Sequence, residues 1–374
     1  MKIIIAGDLY AADEFRSKKI IDKSVIDLFE NTDFRIINLE APITPNNQHH
    51  KITKTGPHLR MSSNTVIPYL QQLNIDAVTM ANNHILDYGE KGVTDTFSEL
   101  NRQHIRYVGA GNNLSDAAKY LSIEKDGLKI AIINFCENEW SIAEEDSPGA
   151  NPMDIIDNAN QIREAISTHD KVIVIVHGGH EYYNLPSPRM QKQYRFYADQ
   201  GADIVVGHHT HCISGNEVYK GVPIYYSLGN FLFTKPNTNE EWYTGLILEI
   251  DISNDEIDCE VHPVRQEKVN FKLTLLEGND KEEVSGRIET YSNIIHDPYE
   301  LKKNWKAYIE KQSKQYLNYW APVSFIQNRY IAAIFRRMGV NFFNKKISSL
   351  YLNLMRCEAH SDISHAVLKK YLSI

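Results

Sequence analysis

Short apolar runs rich in Ile and Val recur between residues 3 and 206, and few of them alternate with polar residues. This pattern is typical of strands that are buried on both faces. Amphipathic stretches lie between the runs and predict helices over 63–73, 90–103, 154–168 and 189–200. Alternation of strand and helix predicts a layered α/β domain. The predicted strands are 3–6, 35–39, 77–80, 129–135, 172–176 and 204–206.

The pattern changes after about residue 217, where strands follow one another without long helices between them. We expect strands over 222–226, 244–251, 257–264 and 270–276, and we expect them to form a second, largely antiparallel sheet packed on the first. From about Asp280 to its end, the chain is predicted to be helical. A polar turn at Gly278 predicts a boundary between a catalytic domain, 1–278, and a helical C-terminal subdomain, 279–374.

Polar residues directly follow several of the predicted strands. In an open α/β sheet, ligands bind beyond the carboxyl ends of the strands, so these residues are candidates for a binding site. Taken singly, each has an ordinary structural explanation, such as a helix cap for Asp8. Together they form a mixed oxygen and nitrogen donor set, which suits Mn, Fe or Zn better than Ca and is large enough for two metal ions. The residues are Asp8, Asn38, Glu40, Asn82, Asn83, His84, Asp87, His177, His180, Glu181, His208, His209 and His211.

Charge and cysteine content narrow the class of protein. The chain has 40 Lys and Arg against 48 Asp and Glu, a net charge of −8. It therefore lacks the positive field of a non-specific nucleic-acid binder. The 4 cysteines form no CxxC motif and fit a reducing compartment. We find no signal peptide and no apolar run long enough to span a membrane, so we expect a cytoplasmic location, with membrane association through a partner as the alternative.

Six segments in order resemble the CapA family of bacterial capsule and poly-γ-glutamate synthesis proteins, in the calcineurin-like metallophosphoesterase superfamily. The resemblance covers about residues 1–265. The segments are Gly7-Asp8, Asn38-Leu39-Glu40, Asn82-Asn83-His84, His177-Gly178-Gly179-His180-Glu181-Tyr182, Gly207-His208-His209-Thr210-His211 and Ser227-Leu228-Gly229-Asn230.

The resemblance implies a four-layer αββα sandwich with a two-metal centre, and the predicted C-terminal helical extension lies outside it. It implies that His84 stabilises or protonates the leaving group. It also assigns metal-binding roles: Asp8 to the first metal, Glu40 as the bridge between the metals, Asn83 and His177 as further ligands, and His209 and His211 as one ligand for each metal.

Three departures from the superfamily pattern weaken the predicted first metal site. Tyr10 stands where the pattern has a histidine ligand, the bridging acid is Glu40 rather than Asp, and Asn82 replaces a glycine. These departures leave a single-metal centre as an alternative. His208 is predicted not to be a ligand, because its side chain should point away from His209.

Other residues are predicted to act around the metals. Glu181 is expected to serve as an acid or base or to support a ligand, and the polar segment 47–54 is expected to be a loop flanking the site. For Arg189 an exposed helix start, and for Asn230 a tight turn, are the alternatives to a role in substrate binding. The predicted substrate-binding residues are Asn38, Asp87, His180, Arg189 and Asn230.

We therefore predict a metal-dependent hydrolase that uses a metal-activated hydroxide on a phosphoester or amide bond. The expected substrate is anionic or polymer-derived and related to capsule, exopolysaccharide or poly-γ-glutamate. One alternative is an epimerase or isomerase that uses the same site for proton transfer at carbon. Another is a non-catalytic component of a polymer synthesis or export complex. The aromatic C-terminal region is expected to pack on the sandwich, to contact a membrane-associated polymer synthase or anionic membrane surface, or to form a homodimer.

Overall fold

The strands of the computed structural model begin at the N-terminus and continue to residue 275. The structure describes residues 1–320, 326, 328–338, 345–356, 360–361, 363–364, 367–368 and 372. The strands in this part of the chain are β1 (Lys2–Tyr10), β2 (Phe34–Leu39), β3 (Ala77–Thr79), β4 (Arg106–Val108), β5 (Ala110–Gly111), β6 (Leu121–Lys125), β7 (Leu128–Cys136), β8 (Gly149–Ala150), β9 (Lys171–His177), β10 (Ile204–His208), β11 (Asn216–Tyr219), β12 (Val222–Tyr225), β13 (Asn230–Phe233), β14 (Thr244–Ile252), β15 (Ile257–Gln266) and β16 (Leu273–Leu275).

Helices follow most of the parallel strands and make up the described C-terminal region. They are α1 (Lys23–Glu30), α2 (Ser63–Gln72), α3 (Gly89–Arg102), α4 (Leu114–Ala117), α5 (Ile155–Ile166), α6 (Pro188–Asp199), α7 (Gly278–His296), α8 (Pro298–Trp320), α9 (Arg329–Arg337) and α10 (Lys345–Arg356). Side chains cap several of their first turns; Asp154, for example, accepts from two amides of α5. The helix α7 ends at His296, because Asp297 precedes a proline and such a residue is disfavoured in helical conformation.

The strands form two large mixed sheets. The first has the order β16-β15-β14-β1-β2-β3-β4, and β13 also pairs with β1. The second has the order β11-β12-β10-β9-β7-β6. In the first sheet, β1 to β4 are parallel and reach one edge, and β14 to β16 are antiparallel to their neighbours and reach the other. In the second sheet, the central strands are parallel and the edge strands β11 and β6 are antiparallel to their neighbours.

The two sheets pack face to face with helices on both outer surfaces. Side chains such as Ile5 and Ile175 fill the space between the sheets. Phe29 and Val93, on α1 and α3, cover the outer face of the first sheet. Tyr194 on α6 covers the outer face of the second sheet. The predicted four-layer αββα sandwich is therefore confirmed.

The sequence-based assignment of strands to sheets was wrong. The later strands do not form a sheet of their own: β14 pairs antiparallel with β1, β15 and β16 extend the same sheet, and β12 joins the other sheet parallel to β10. The earlier strands are in turn divided between the two sheets. The pattern of apolar residues predicts that a strand is buried, but it does not predict which strand pairs with it.

Two glycines let β13 pass close beside β1. A Cβ atom on Gly7 would lie 2.0 Å from the carbonyl oxygen of Gly229. The amide of Asp8 donates to that same oxygen at 3.2 Å, and the strand register places Asp8 opposite Asn230. The glycine at position 7 is therefore needed to bring Asn230 to the end of β1.

We expect Gly7→Ala to lower the free energy of unfolding by roughly 2 to 3 kcal/mol, because backbone blocks the new methyl group and no rotamer can relieve the clash. The matched control is Gly286→Ala on α7, where the added methyl group meets open space. That variant should raise the free energy of unfolding by about 0.5 to 1 kcal/mol. Urea unfolding followed by circular dichroism measures both. An unchanged midpoint for Gly7→Ala would show that the strands can move apart without cost.

Contacts divide the described chain into two compact units, Met1–Lys302 and Lys303–Ile374. Helix α7 belongs to the first unit, where Ser292 bonds to Asn216 on β11. The predicted boundary after residue 278 stays a prediction. The described part of the second unit is largely helical, as expected, whereas Phe325, Phe342 and Phe343 of the aromatic C-terminal region lie outside the described residues. Within the described part of the chain, no helix has both the length and the apolar character that crossing a membrane requires.

Candidate metal centre

Residues from both sheets meet at one rim of the sandwich. The first sheet contributes Asp8 on β1, Glu40 just after β2, and Asn83 in the turn after β3. The second sheet contributes His177 at the end of β9 and the histidines after β10. The predicted convergence of strand ends is thus observed, although the strands come from two facing sheets rather than from one.

A single amide holds the two carboxylates of this rim. Nδ2 of Asn38 donates to Oδ1 of Asp8 at 2.8 Å and to Oε2 of Glu40 at 2.6 Å. Both carboxylates are fully buried, and Oδ2 of Asp8 and Oε1 of Glu40 have no hydrogen-bond partner. Buried carboxylate oxygens without donors need a cation or a proton. Burial and the nearby Asp8 carboxylate raise the pKa of Glu40 well above its usual range.

His177 lies between the carboxylates and a second histidine. Its Nε2 atom is 3.1 Å from Nδ1 of His209, 3.2 Å from Oδ1 of Asn83 and 3.6 Å from Oε1 of Glu40. Burial and the neighbouring His209 hold the pKa of His177 well below its usual range, so the ring is neutral and has a lone pair to offer. Donor atoms of Asp8, Glu40 and His177 all lie within 4.8 Å of one another, a spacing that one cation can span.

His211 closes the opposite side of Asp8. Its Nδ1 atom lies 3.4 Å from Oδ2 of Asp8 and 2.9 Å from Oδ1 of Asn230. Asn230 in turn donates to the carbonyl of Trp242 at 3.0 Å, so it orients the His211 ring. Both His209 and His211 have left-handed backbone angles, φ 88 and φ 56, which are uncommon for residues other than glycine and recur at functional sites.

Two glutamates that the sequence did not single out complete the rim. Oε1 of Glu137 is 3.0 Å from Nε2 of His209, and Oε2 of Glu139 accepts from Asn83 at 3.1 Å. Burial lowers the pKa of His209, but Glu137 outweighs this effect and raises the pKa to about 9. Glu137 directly follows β7, a predicted strand, so the strand-end rule applied to that strand would have found it.

His84 is held by a buried ion pair. Nδ1 of His84 is 2.7 Å from Oδ2 of Asp87, an oxygen that also accepts from the amide of Leu59 at 2.6 Å. The other oxygen of Asp87 pairs with Lys54, whose side chain is only 2% exposed and whose Nζ lies 3.3 Å from His84 Nδ1. Because Asp87 can only accept, Nδ1 of His84 donates and Nε2 is left for proton transfer. Burial lowers the pKa of His84, against the opposing effect of Asp87.

A cleft of about 370 Å³ opens over this rim. The predicted metal ligands Asn83 and His211 and the predicted catalytic residues His84 and Glu181 line it. Its wall also holds lysines and aromatic residues to which the sequence analysis assigned no role, although Tyr182 belongs to one of the family segments: Lys54, Lys235, Tyr182, Phe233 and Trp242. Lys54 comes from the segment predicted to flank the site, but nothing in that segment distinguished this lysine from its neighbours.

The predicted substrate-binding residues lie in different places. Asn38, Asp87 and Asn230 are buried beneath the cleft and contact the metal-site or catalytic residues instead of its open space. His180 and Arg189 are not among the described residues that line the cleft. Arg189 is exposed in the first turn of α6 and donates to Gln193 at 3.2 Å. A substrate role for these five residues stays a prediction.

Comparisons with known proteins agree with the motifs. The model of the family described as bacterial capsule synthesis protein PGA_cap matches residues 2–235. "PGA biosynthesis protein CapA" of Bacillus subtilis is 38% identical over 209 residues, 55% of this chain and 54% of that protein. "Capsule biosynthesis protein CapA" of Bacillus anthracis is 29% identical over 299 residues, 76% of this chain and 72% of that protein. The match thus spans about half the length of the Bacillus subtilis relative.

Among solved structures, a hypothetical protein from Thermus thermophilus is similar to this chain. The alignment covers 70% of this chain and 99% of that protein, with 16% identity and a TM-score of 0.44.

Proposed function

Because the chain belongs to the bacterial capsule synthesis protein PGA_cap family, we propose that it is a metal-dependent hydrolase in capsule or poly-γ-glutamate synthesis. Its substrate is anionic, and the bond it cleaves is a phosphoester or an amide. The observation that carries this proposal is the pair of buried carboxylates, Asp8 and Glu40, which have oxygens without donors beside the neutral ring of His177. Such a donor set is suited to a divalent cation.

The residues at the rim fit two divalent ions, with Mn, Fe or Zn as the candidates. The ligands would be Asp8, Glu40, Asn83, His177, His209 and His211, as the resemblance assigns them. When bound, such ions supply positive charge to the reacting group and acidify water. Glu137 supports this centre because it holds the Nε2 edge of His209, as carboxylates commonly do for histidine ligands.

The chain's own catalytic groups lie beside the proposed ions. Asp87 fixes the tautomer and orientation of His84, so that Nε2 can give a proton to the leaving oxygen or nitrogen. Glu181, exposed in the cleft wall, is proposed as a second acid or base. This set of groups favours a catalytic site over a purely structural metal site, which has no need of an oriented histidine facing a cleft.

The cleft wall indicates which substrates fit. Lys235 is exposed at the opening and adds positive charge there, which favours an anionic group, whereas the charge of Lys54 is balanced by its buried partner Asp87. Tyr182 and Trp242, with ring centroids 6.1 Å apart, present apolar surface that excludes water from the reacting bond. We propose a polymer-derived anion as the substrate. A membrane-associated polymer synthase as partner, a homodimer and a cytoplasmic location stay predictions.

The test combines metal analysis with two model substrates. Protein purified without chelator should contain up to two divalent ions per chain by elemental analysis. With added Mn²⁺, it should hydrolyse an aryl phosphate or a γ-glutamyl anilide, one for each candidate bond. His209→Ala should lose both metal and turnover, whereas His49→Ala, in an exposed loop, should change neither.

Two outcomes would count against the proposal. Wild-type protein without metal would overturn the metal centre. Metal-loaded protein that cleaves neither model substrate would overturn the simple hydrolase and favour the non-catalytic component of a synthesis complex or proton transfer at carbon.

A further inference from the structure

His208 is buried at the metal centre and neither of its ring nitrogens makes a hydrogen bond. The residue is 1% exposed, and both Nδ1 and Nε2 are without a hydrogen-bond partner. Its Nδ1 atom lies 3.5 Å from Oδ1 of Asp8, the oxygen that also accepts from Asn38. The Asp8 carboxylate offsets only part of the cost of burying this imidazole, and ring nitrogens without a hydrogen bond call for an explanation such as an ion.

The strand pairing directs His208 toward Asp8. His208 lies opposite His177 in the parallel pairing of β10 with β9, so the two side chains are on the same face of the second sheet. Residues two positions earlier, Val206 and Ile175, fill the core between the sheets. The side chain of His208 therefore points between the sheets, away from the loop that carries His209, and this direction brings it to the first metal side rather than out of the site.

The predicted site of the first metal is the part of the centre that lacks one histidine ligand of the superfamily pattern. Tyr10 stands where the superfamily pattern has a histidine, and its ring packs on Phe233 with centroids 5.0 Å apart. Two donor atoms that are each about 2.1 Å from one cation lie roughly 3 to 3.5 Å apart. The Nδ1 of His208 and the Oδ1 of Asp8 have this separation.

We propose that His208 is a ligand of the first metal through Nδ1, in place of the imidazole that Tyr10 does not provide. The inference rests on the proposed metal centre and changes its composition: Asp8, His208 and His211 share the first ion, and Glu40 bridges to the second. The missing histidine of the pattern is thus replaced from the opposite sheet, and the centre keeps the ligands for two ions.

The test measures metal binding, so it needs no substrate. Mn²⁺ titration of wild-type protein should show two ions, and His208→Phe should weaken one of them at least about tenfold, with the other unchanged. Phenylalanine keeps the ring shape and removes two nitrogens that have no partner, so the metal-free fold should be retained. His208→Asn, whose side-chain oxygen can reach the Nδ1 position, should recover part of the affinity. The matched control is His262→Gln on β15, which pairs with Glu249 away from the centre.

X-ray absorption of the wild-type protein gives a second, independent measurement if the variants do not fold. A total of four imidazole ligands for the two ions would support the inference, and a total of three would overturn it. Unchanged affinity for both ions in His208→Phe overturns the inference and leaves the proposed function standing. Wild-type protein that binds no metal overturns both.

Discussion

A Glu40→Gln variant is expected to fold like the wild type without metal and yet to lose the stabilisation that Mn²⁺ gives. Glutamine keeps the acceptor for the amide of Asn38 and replaces Oε1, which has no donor, by an NH₂ group 3.6 Å from Nε2 of His177. It cannot serve as an anionic bridge between two ions. At a metal concentration one hundred times the dissociation constant, binding stabilises the wild type by about 2.7 kcal/mol. A hundredfold weaker site would retain only about 0.4 kcal/mol.

Thermal unfolding with and without Mn²⁺ measures this effect, with chelator-treated protein as the common reference. Glu249→Gln is the matched control, because Glu249 is a glutamate of the first sheet that is largely buried but pairs with Lys2 and His262. It should keep the full metal-dependent shift. A Glu40→Gln protein that Mn²⁺ stabilises as much as the wild type would remove Glu40 from the ligand set.

The second large effect is expected from His84→Asn, which should lower kcat about 10² to 10⁴-fold without changing metal content. The amide of asparagine reaches about as far as Nδ1 of histidine, so the bond to Asp87 can be kept. The variant removes only Nε2, the nitrogen available for proton transfer. Steady-state kinetics on whichever model substrate the wild type cleaves measure the loss.

The leaving group separates a catalytic role from a structural one. If His84 gives a proton to the leaving atom, the loss should be large for an alkyl leaving group and small for a nitrophenyl group, which departs without help. His58→Gln is the control, because His58 lies in the neighbouring loop and bonds to the carbonyl of Ile52 at 2.8 Å. Equal losses for both leaving groups would contradict proton donation by His84.

Burial and strand ends could be predicted from the sequence because both are local properties. The apolar runs located β1, β2, β7 and β9, and the polar residues directly after such runs included Asp8, His177 and His209. The pairing of β14 with β1 could not be predicted, since it joins residues almost the whole domain apart and depends on long-range packing. The same limit explains why two sheets, rather than one, supply the rim.

Residues whose role depends on a distant partner were the ones missed or placed differently. Lys54 looks like any loop lysine until the fold brings it to Asp87, and Trp242 contributes to the cleft from a short helical turn far along the chain. Asn38 was expected to bind substrate, but its position between two strands directs its amide to Asp8 and Glu40. Sequence spacing gives the residue types at a rim and leaves open which of them face the substrate.

The origin of the donor groups in both layers of the sandwich has a kinetic consequence. Asp8 and Glu40 belong to one layer, and His177 and His211 belong to the other. Each proposed ion that takes ligands from both layers would be a cross-link, and the layers could not separate there until its bonds break. Metal occupancy would then lengthen the time for which the native chain survives before it opens to a protease. In a metal-poor cell, the amount of this protein would fall through turnover even at a constant rate of synthesis.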